Sequence, residues 1–388
     1  MLRPQNSGEW GRDAESAWRC GRGRGGAGGT GDPEPLQSRV PFGASPSPVR
    51  DPSDLKPHPT ADGAKSGASG AGHANPVAIR SRVVLEIAAE LVALADQPLR
   101  QAKVLLREQG AASLDWPLRL FGSSTQEGID AVAARESALA MINPSAALTL
   151  AYRGSPPFSA PQPVRVISVL PSQDELVFAV HPKTGLTRFE QILEERRPLK
   201  ISVRGQRDHY LHTMMEHVAT AAGYSLRDIE DWGGEIRLEG SLPFPNSDKF
   251  RNLVAGDLDA IFDEGVYEWL DAALAAGLSI LGISDSTAAE LESMGYRRSV
   301  LSAARYPKLG RDVPTMDFSG WPIFVHAELP DWLVTQICQA LEARRQLIPW
   351  EGEGPLPLDR MCRDTPATPL DVPLHPAAEQ FWRQRGYI

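Results

Sequence analysis

Apolar residues first fall into a regular rhythm near residue 80. Val84, Ile87, Leu91 and Leu94 recur at helical spacing, with Arg82, Glu86 and Glu90 on another face, which predicts an amphipathic helix packed on a core. The short apolar run at 102–107 fits strand or helix and is read as strand. Residues 117–121 predict a strand followed by Gly122, Ser123 and Ser124. Ser124 and Glu127 have capping-box spacing, and Ile129, Val132 and Ala133 begin the apolar face of the helix they would start. Residues 138–142 predict a strand ending at Asn143-Pro144-Ser145, where proline suits a first helical turn and the Asn and Ser side chains either cap the helix or face a ligand.

The rhythm continues through two β-rich runs, 165–170 and 176–181, separated by a polar turn. Leu199, Ile201 and Val203 then alternate as a strand would, a glycine-containing turn follows, and Met214, Val218 and Ala222 carry helical spacing until Gly223 stops it. Beyond it come a helix at 250–255, a buried strand at 258–262 ending in Asp263-Glu264, a helix at 269–276 and a strand at 279–283. A strand ending at 324–326 and helices at 332–345 and 376–385 complete the chain. Strands alternating with helices predict α/β layers around a largely parallel sheet, whose ligands sit beyond the carboxyl ends of the strands.

Composition separates the front of the chain from this body. The first 75 residues hold 14 glycines and 9 prolines, the composition of a disordered tail, here taken as 1–76. Within it the run RCGRGRGG is similar to RNA-binding arginine-glycine segments but lacks interleaved aromatics. A net charge of −9 argues against a body that binds nucleic acid by electrostatics, and no nucleic-acid partner is expected. Cys20, Cys338 and Cys362 are odd in number and far apart, so free thiols are expected rather than a disulfide framework. No run approaches the roughly 20 apolar residues of a membrane span. No signal peptide is visible, because Glu86 and Glu90 interrupt the most apolar stretch near the front.

The turn after the strand at 199–203 carries the clearest chemistry. Arg204 and Arg207 stand where the first backbone N–H groups of a helix are unpaired and its dipole is positive, an arrangement suited to an anion. The alternative is that both are solvated and paired with neighbours such as Asp208. His209, His212 and His217 raise the question of a metal, but the usual helical pair is four apart and no HExxH occurs, so satisfied or surface histidines are expected. No GxSxG, P-loop or Cys-His nucleophile pattern is present, and no enzyme activity or cofactor is expected.

Four stretches in order carry a resemblance to a family: FGSSTQEGIDAVAARESALAMINPSAALTLAYRG, RGQRDHYLHTMMEHVATAAGYSLRDI, LVAGDLDAIFDEG and PLHPAAEQFWRQRGY. Together they resemble the solute-binding subunits of TRAP transporters, specifically the TAXI group, over residues 80–387. The resemblance implies a two-lobed type II periplasmic-binding-protein-like α/β fold behind the disordered tail. Lobe 1 would be 77–175 with 320–388, and lobe 2 would be 176–319, with crossings near 176–180 and 321–325. It further implies capture of a small anionic solute, a carboxylate or amino acid, for a TRAP-type transporter with its membrane subunits. Matched by position, Ser123, Ser124, Thr125, Asn143 and Ser145 would line the cleft from one lobe. Arg204, Gln206, Arg207, Asp208, Asp263 and Glu264 would line it from the other. The implied location is periplasmic. The missing leader motivates a cytoplasmic sensor or scavenger as the alternative. The family usually carries small residues where this chain has Arg-Gly-Gln-Arg-Asp, which implies a different ligand preference.

Overall fold

The structure, a computed structural model, describes residues 102–106, 118–122, 125–348 and 350–388. The tail at 1–76, the helix expected at 84–94, and Ser123 and Ser124 fall outside these residues.

Twelve strands are described: β1 Ala102–Leu106, β2 Leu118–Gly122, β3 Leu139–Met141, β4 Val164–Leu170, β5 Val177–Val180, β6 Lys200–Arg204, β7 Glu235–Glu239, β8 Ala260–Asp263, β9 Ser279–Leu281, β10 Arg298–Leu301, β11 Val313–Met316 and β12 Trp321–His326. They build one five-stranded sheet in the order β1-β2-β3-β12-β4, another in the order β7-β6-β8-β5-β9, and the hairpin β10-β11. The chain is thus α/β with two sheet layers. It passes from the first sheet to the second between Leu170 and Val177 and, after the hairpin β10-β11, returns to the first sheet between Met316 and Trp321.

Both sheets are mixed, which corrects the largely parallel sheet expected from the alternation of elements. β6 pairs in parallel with β7 and β8, and β2 with β3. The two strands that receive the chain after each crossing run the other way: β5 lies antiparallel between β8 and β9, and β12 antiparallel between β3 and β4. A crossing strand enters its sheet from the opposite end to the strands that alternate with helices, and periodicity along the chain carries no sign of that direction.

Helices flank the sheets where the apolar spacing placed them. Tyr210–Ala221 buries Leu211, Met214, Met215, Val218 and Ala219; Met214 and Val218 lie on the expected face, whereas Ala222 sits just past the helix end and is half-buried. Pro376–Gln384 buries Phe381 and Trp382, and the Trp382 indole N–H donates to the Ile167 carbonyl of β4 at 2.8 Å. One start differs from expectation. The helix Glu127–Ala133 begins with Gln126 at its N-cap, so Glu127, expected in the third position of the first turn, is the first helical residue.

The apolar core is continuous between the two sheets. One buried cluster contains Ile142, Ala146 and Leu150 from the first sheet and its helix Ser145–Arg153, and Phe178, Met214, Val218 and Phe262 from the second. Phe318 and Met316, on the returning segment, belong to it as well. Ser155 adds a hydrogen bond from its hydroxyl to the Met294 carbonyl at 2.6 Å, at the end of the helix Asp285–Met294. No helix among the described residues is long and apolar enough to cross a membrane.

Candidate functional site

β6 and β8 lie side by side in parallel, so their carboxyl ends bring Arg204 next to Asp263 and Glu264. The Arg204 guanidinium reaches Asp263 Oδ1 through Nη2 at 2.6 Å and Nε at 3.2 Å, and also donates to Glu264. Asp263 is fully buried. Its other oxygen accepts from Lys249 Nζ at 2.8 Å, a lysine 3% exposed on the helix Asp248–Ala255, and its Oδ1 also takes the Glu264 N–H at 3.0 Å. Burial works against the charged guanidinium, but the two carboxylates outweigh it and hold the Arg204 pKa above its ordinary value. Burial pushes Lys249 down despite the Asp263 charge.

The turn after β6 is shaped by Gly205. Its N–H donates to the Gly240 carbonyl at 2.9 Å, and a Cβ there would lie 2.8 Å from that oxygen, so a larger residue would force the ends of β6 and β7 apart. Gln206 then donates to Asp208 Oδ1 at 3.0 Å, while Arg207 and Asp208 are exposed. His209 is the N-cap of the helix Tyr210–Ala221, accepting the Leu211 N–H on Nδ1 at 3.2 Å. Burial, reinforced by Arg204, lowers its pKa to about 3. His212 bonds the Gln206 carbonyl at 2.8 Å and His217 the Tyr296 hydroxyl at 2.7 Å. The three histidines are therefore partly or fully buried structural groups, not a solvated helix face. Among the described residues no group of three or more His, Cys, Asp or Glu could hold a metal ion.

From the first sheet, Asn143 follows β3 and joins Pro144 through a cis peptide bond, and Ser145 opens the helix Ser145–Arg153. Asn143 Oδ1 and Ser145 Oγ are buried without a hydrogen-bond partner within the protein. Thr125 is buried ahead of the helix Glu127–Ala133.

The returning segment ties these two sets together. Ser145 N–H donates to the Ser319 carbonyl at 3.1 Å, and Ser319 Oγ both accepts the Asp174 N–H at 3.0 Å and donates to the Asp174 carbonyl at 3.1 Å. The Asp174 carboxylate in turn accepts the N–H groups of Gly265, at 2.8 and 2.9 Å, and Val266, at 3.1 Å, which start the helix Val266–Ala275 just after Glu264. Burial, and then the neighbouring Glu264 charge, raise the Asp174 pKa well above the usual carboxylate range. The turn residues at 143–145 and 263–266 are thereby linked through a serine and an aspartate on the two crossing segments. Sequence reading missed Asp174, Lys249 and Ser319. Asp174 lies in a turn passed over as merely polar, and a lysine in a helical first turn carries no mark of burial.

No family model matches the chain. Solved structures with weak likeness include a periplasmic transporter, with 14% identity over 64% of this chain and 74% of that one at a TM-score of 0.29. A methylphosphonate-bound protein from Prochlorococcus marinus has 11% identity over 68% and 83% at a TM-score of 0.33. The arginine-, lysine-, histidine-binding protein of Geobacillus stearothermophilus has 10% identity over 61% and 78% at a TM-score of 0.25.

Proposed function

We propose that this protein is a two-lobed solute-binding protein that captures a small carboxylate-bearing solute, amino acids above simple carboxylates, at the boundary between its two sheets. Its lobes are 77–175 with 320–388, and 176–319. The observation that carries this reading is the chain of hydrogen bonds from Ser145 through Ser319 and Asp174 to Gly265, because it gathers strand ends of both sheets around the crossing segments. Ligands of open α/β sheets bind at such carboxyl ends.

The charge arrangement favours a solute with both signs. Arg204 is shared between Asp263 and Glu264, and Lys249 is committed to Asp263, so neither cation offers its whole charge to a carboxylate. Arg207, exposed at the same turn, and the N-terminal N–H groups of the helix Tyr210–Ala221 supply the attraction for an anion. Glu264 supplies a partner for an amine. Ser123, Ser124, Thr125, Asn143, Ser145, Gln206 and Asp208 complete the proposed lining.

Helix ends contribute at most about 2 kcal/mol each, whereas micromolar affinity needs about 8. Closure around the solute supplies the remainder. As the resemblance to TAXI-group subunits implies, the solute is handed to the membrane subunits of a TRAP-type transporter, which places the protein in the periplasm. A thermal-shift screen with amino acids and simple carboxylates tests the binding reading, since any solute that binds the folded state raises the melting temperature. No shift with either class would overturn it.

A further inference from the structure

A polar cavity of about 320 Å³ opens at the crossing segments and is bounded by Gln173, Glu175, Arg297, Ser299, Asp317 and Thr365. Glu175 and Asp317 face one another at an antiparallel bridge between the two crossings. Asp174, the next residue along, turns its carboxylate to Gly265 and Val266, while Glu175 Oε1 accepts from Ser299 Oγ at 3.3 Å. Successive residues of an extended segment point to opposite sides, so the cavity opens on the other side of the crossing from the Arg204 cluster.

The charges around this space do not balance. Like charges directly opposite on paired strands repel. Arg297 is held by Asp371, at 2.7 and 2.8 Å, and by Asp364 at 2.8 Å. Arg298 is held by Asp285 and Glu292, each at 2.8 Å. Glu175, 7% exposed, and Asp317 are left with hydroxyl, amide and backbone donors alone: Ser299 and Gln173 for the first, Ser319 for the second. Burial first, and then the facing carboxylate, raises the Glu175 pKa. Burial raises that of Asp317 to about 6, with Ser319 and the Arg297 charge pulling the other way and Asp371 adding to the rise. A buried carboxylate, Glu175, and a half-buried one, Asp317, repel one another in a space at the lower end of the roughly 300–1,000 Å³ that holds small organic ligands, and a cation between them relieves that repulsion.

We propose that this cavity is a second binding site, distinct from the Arg204 cluster, for a small organic cation whose ammonium or guanidinium group bridges Glu175 and Asp317. Ser299, Ser319, Gln173 and Thr365 supply acceptors and donors for the rest of the molecule. Because its two anchors lie on the two crossing segments, an occupant ties those segments to one another.

Calorimetry on the full chain with putrescine and agmatine tests this, with uncharged 1,4-butanediol as the control and a salt series to remove weak surface attraction. Both cations are expected to bind and the diol not to bind. Glu175→Gln and Asp317→Asn should each weaken putrescine roughly tenfold or more. Both amides keep the size of the acid and relieve its repulsion, so the variants should melt no lower than the parent, and a fold defect is separable from a lost site. Arg207→Ala, in the proposed solute site, should leave putrescine affinity unchanged, so the two readings fail independently. Failure of both cations to bind at millimolar concentration, equal binding of the diol, or putrescine affinity unchanged in Glu175→Gln and Asp317→Asn would overturn the proposal.

Discussion

The carboxylate of Asp174 caps a helix that belongs to the other sheet: it accepts the Gly265 N–H at 2.8 and 2.9 Å, from a segment 91 residues further along the chain. This bond joins the first crossing to the turn that carries Asp263 and Glu264. Removing the acceptor should release two first-turn N–H groups at once. Asp174→Ala is expected to cost about 1–2 kcal/mol in urea denaturation, within the range of a lost cap. Asp174→Asn keeps one acceptor oxygen and should cost less. An alanine variant as stable as the parent would show that the cap is not a stabilising contact.

Arg204 has a different dependence on its neighbours. Its side chain is 11% exposed and lies against two buried carboxylates, so Arg204→Ala leaves Asp263 with Lys249 alone and Glu264 with no cation. Stranding a buried charge typically costs about 3–5 kcal/mol. The variant is therefore expected to lose that much stability before any question of solute arises, and its binding defect cannot be read without a denaturation curve. Arg207→Ala, at an exposed position, should leave the denaturation midpoint unchanged and lower affinity for carboxylate-bearing amino acids. Those two profiles, measured together, separate an arginine that holds the fold from one that meets the solute.

The pH dependence of stability should carry the mark of Asp317. Its folded pKa is about 6 against an ordinary 3.8, raised chiefly by burial. An acid whose pKa is higher in the folded than the unfolded state binds more protons when folded, so its contribution is favourable at low pH and is lost as pH rises from about 4 to 6. Each pKa unit corresponds to about 1.4 kcal/mol, which sets the loss on the order of 2–3 kcal/mol. Asp317→Asn should flatten the stability curve across that window. An unchanged slope between pH 4 and 6 in the asparagine variant would assign the dependence elsewhere.

The elements were legible in the sequence wherever one face alone is buried. Met214 and Val218 set the face of the helix Tyr210–Ala221, and the strand before it was read to within one residue at each end. Strand direction was not legible, because Phe178 on β5 and Phe324 on β12 are buried whichever way their strands run. The helix Asp285–Met294 went unread although Ser284 caps it through the Thr287 N–H, because its buried set is only Thr287, Ala288 and Leu291. At the site, the family resemblance assigns Arg204, Asp263 and Glu264 to one lobe, but their mutual pairing depends on β6 lying beside β8, a neighbour 59 residues away, which no local pattern announces. Lys249 and Asp174 come from further elements again, and nothing local to either residue signals burial.

Two buried hydroxyls, Ser145 of the proposed lining and Tyr210 on the helix that follows the Arg207 turn, test whether the proposed solute site reaches the start of that helix. Ser145 Oγ, at the start of the helix Ser145–Arg153, and the Tyr210 hydroxyl, at the start of the helix Tyr210–Ala221, have no hydrogen-bond partner within the protein. Both side chains are almost wholly buried, at 4% and 2% exposure, and burial raises the Tyr210 pKa well above that of a free phenol. A buried hydroxyl without a partner costs about 1–3 kcal/mol relative to one that is satisfied. If these groups hold the solute, Ser145→Ala and Tyr210→Phe should melt at or above the parent temperature without solute and show a smaller rise on adding an amino acid that stabilises the parent. If instead they serve only packing, the two variants should shift equally with and without that amino acid. Melting curves of parent and variants at matched solute concentration distinguish these outcomes, because removing a partnerless hydroxyl acts on the free protein while losing a solute contact acts only when solute is present.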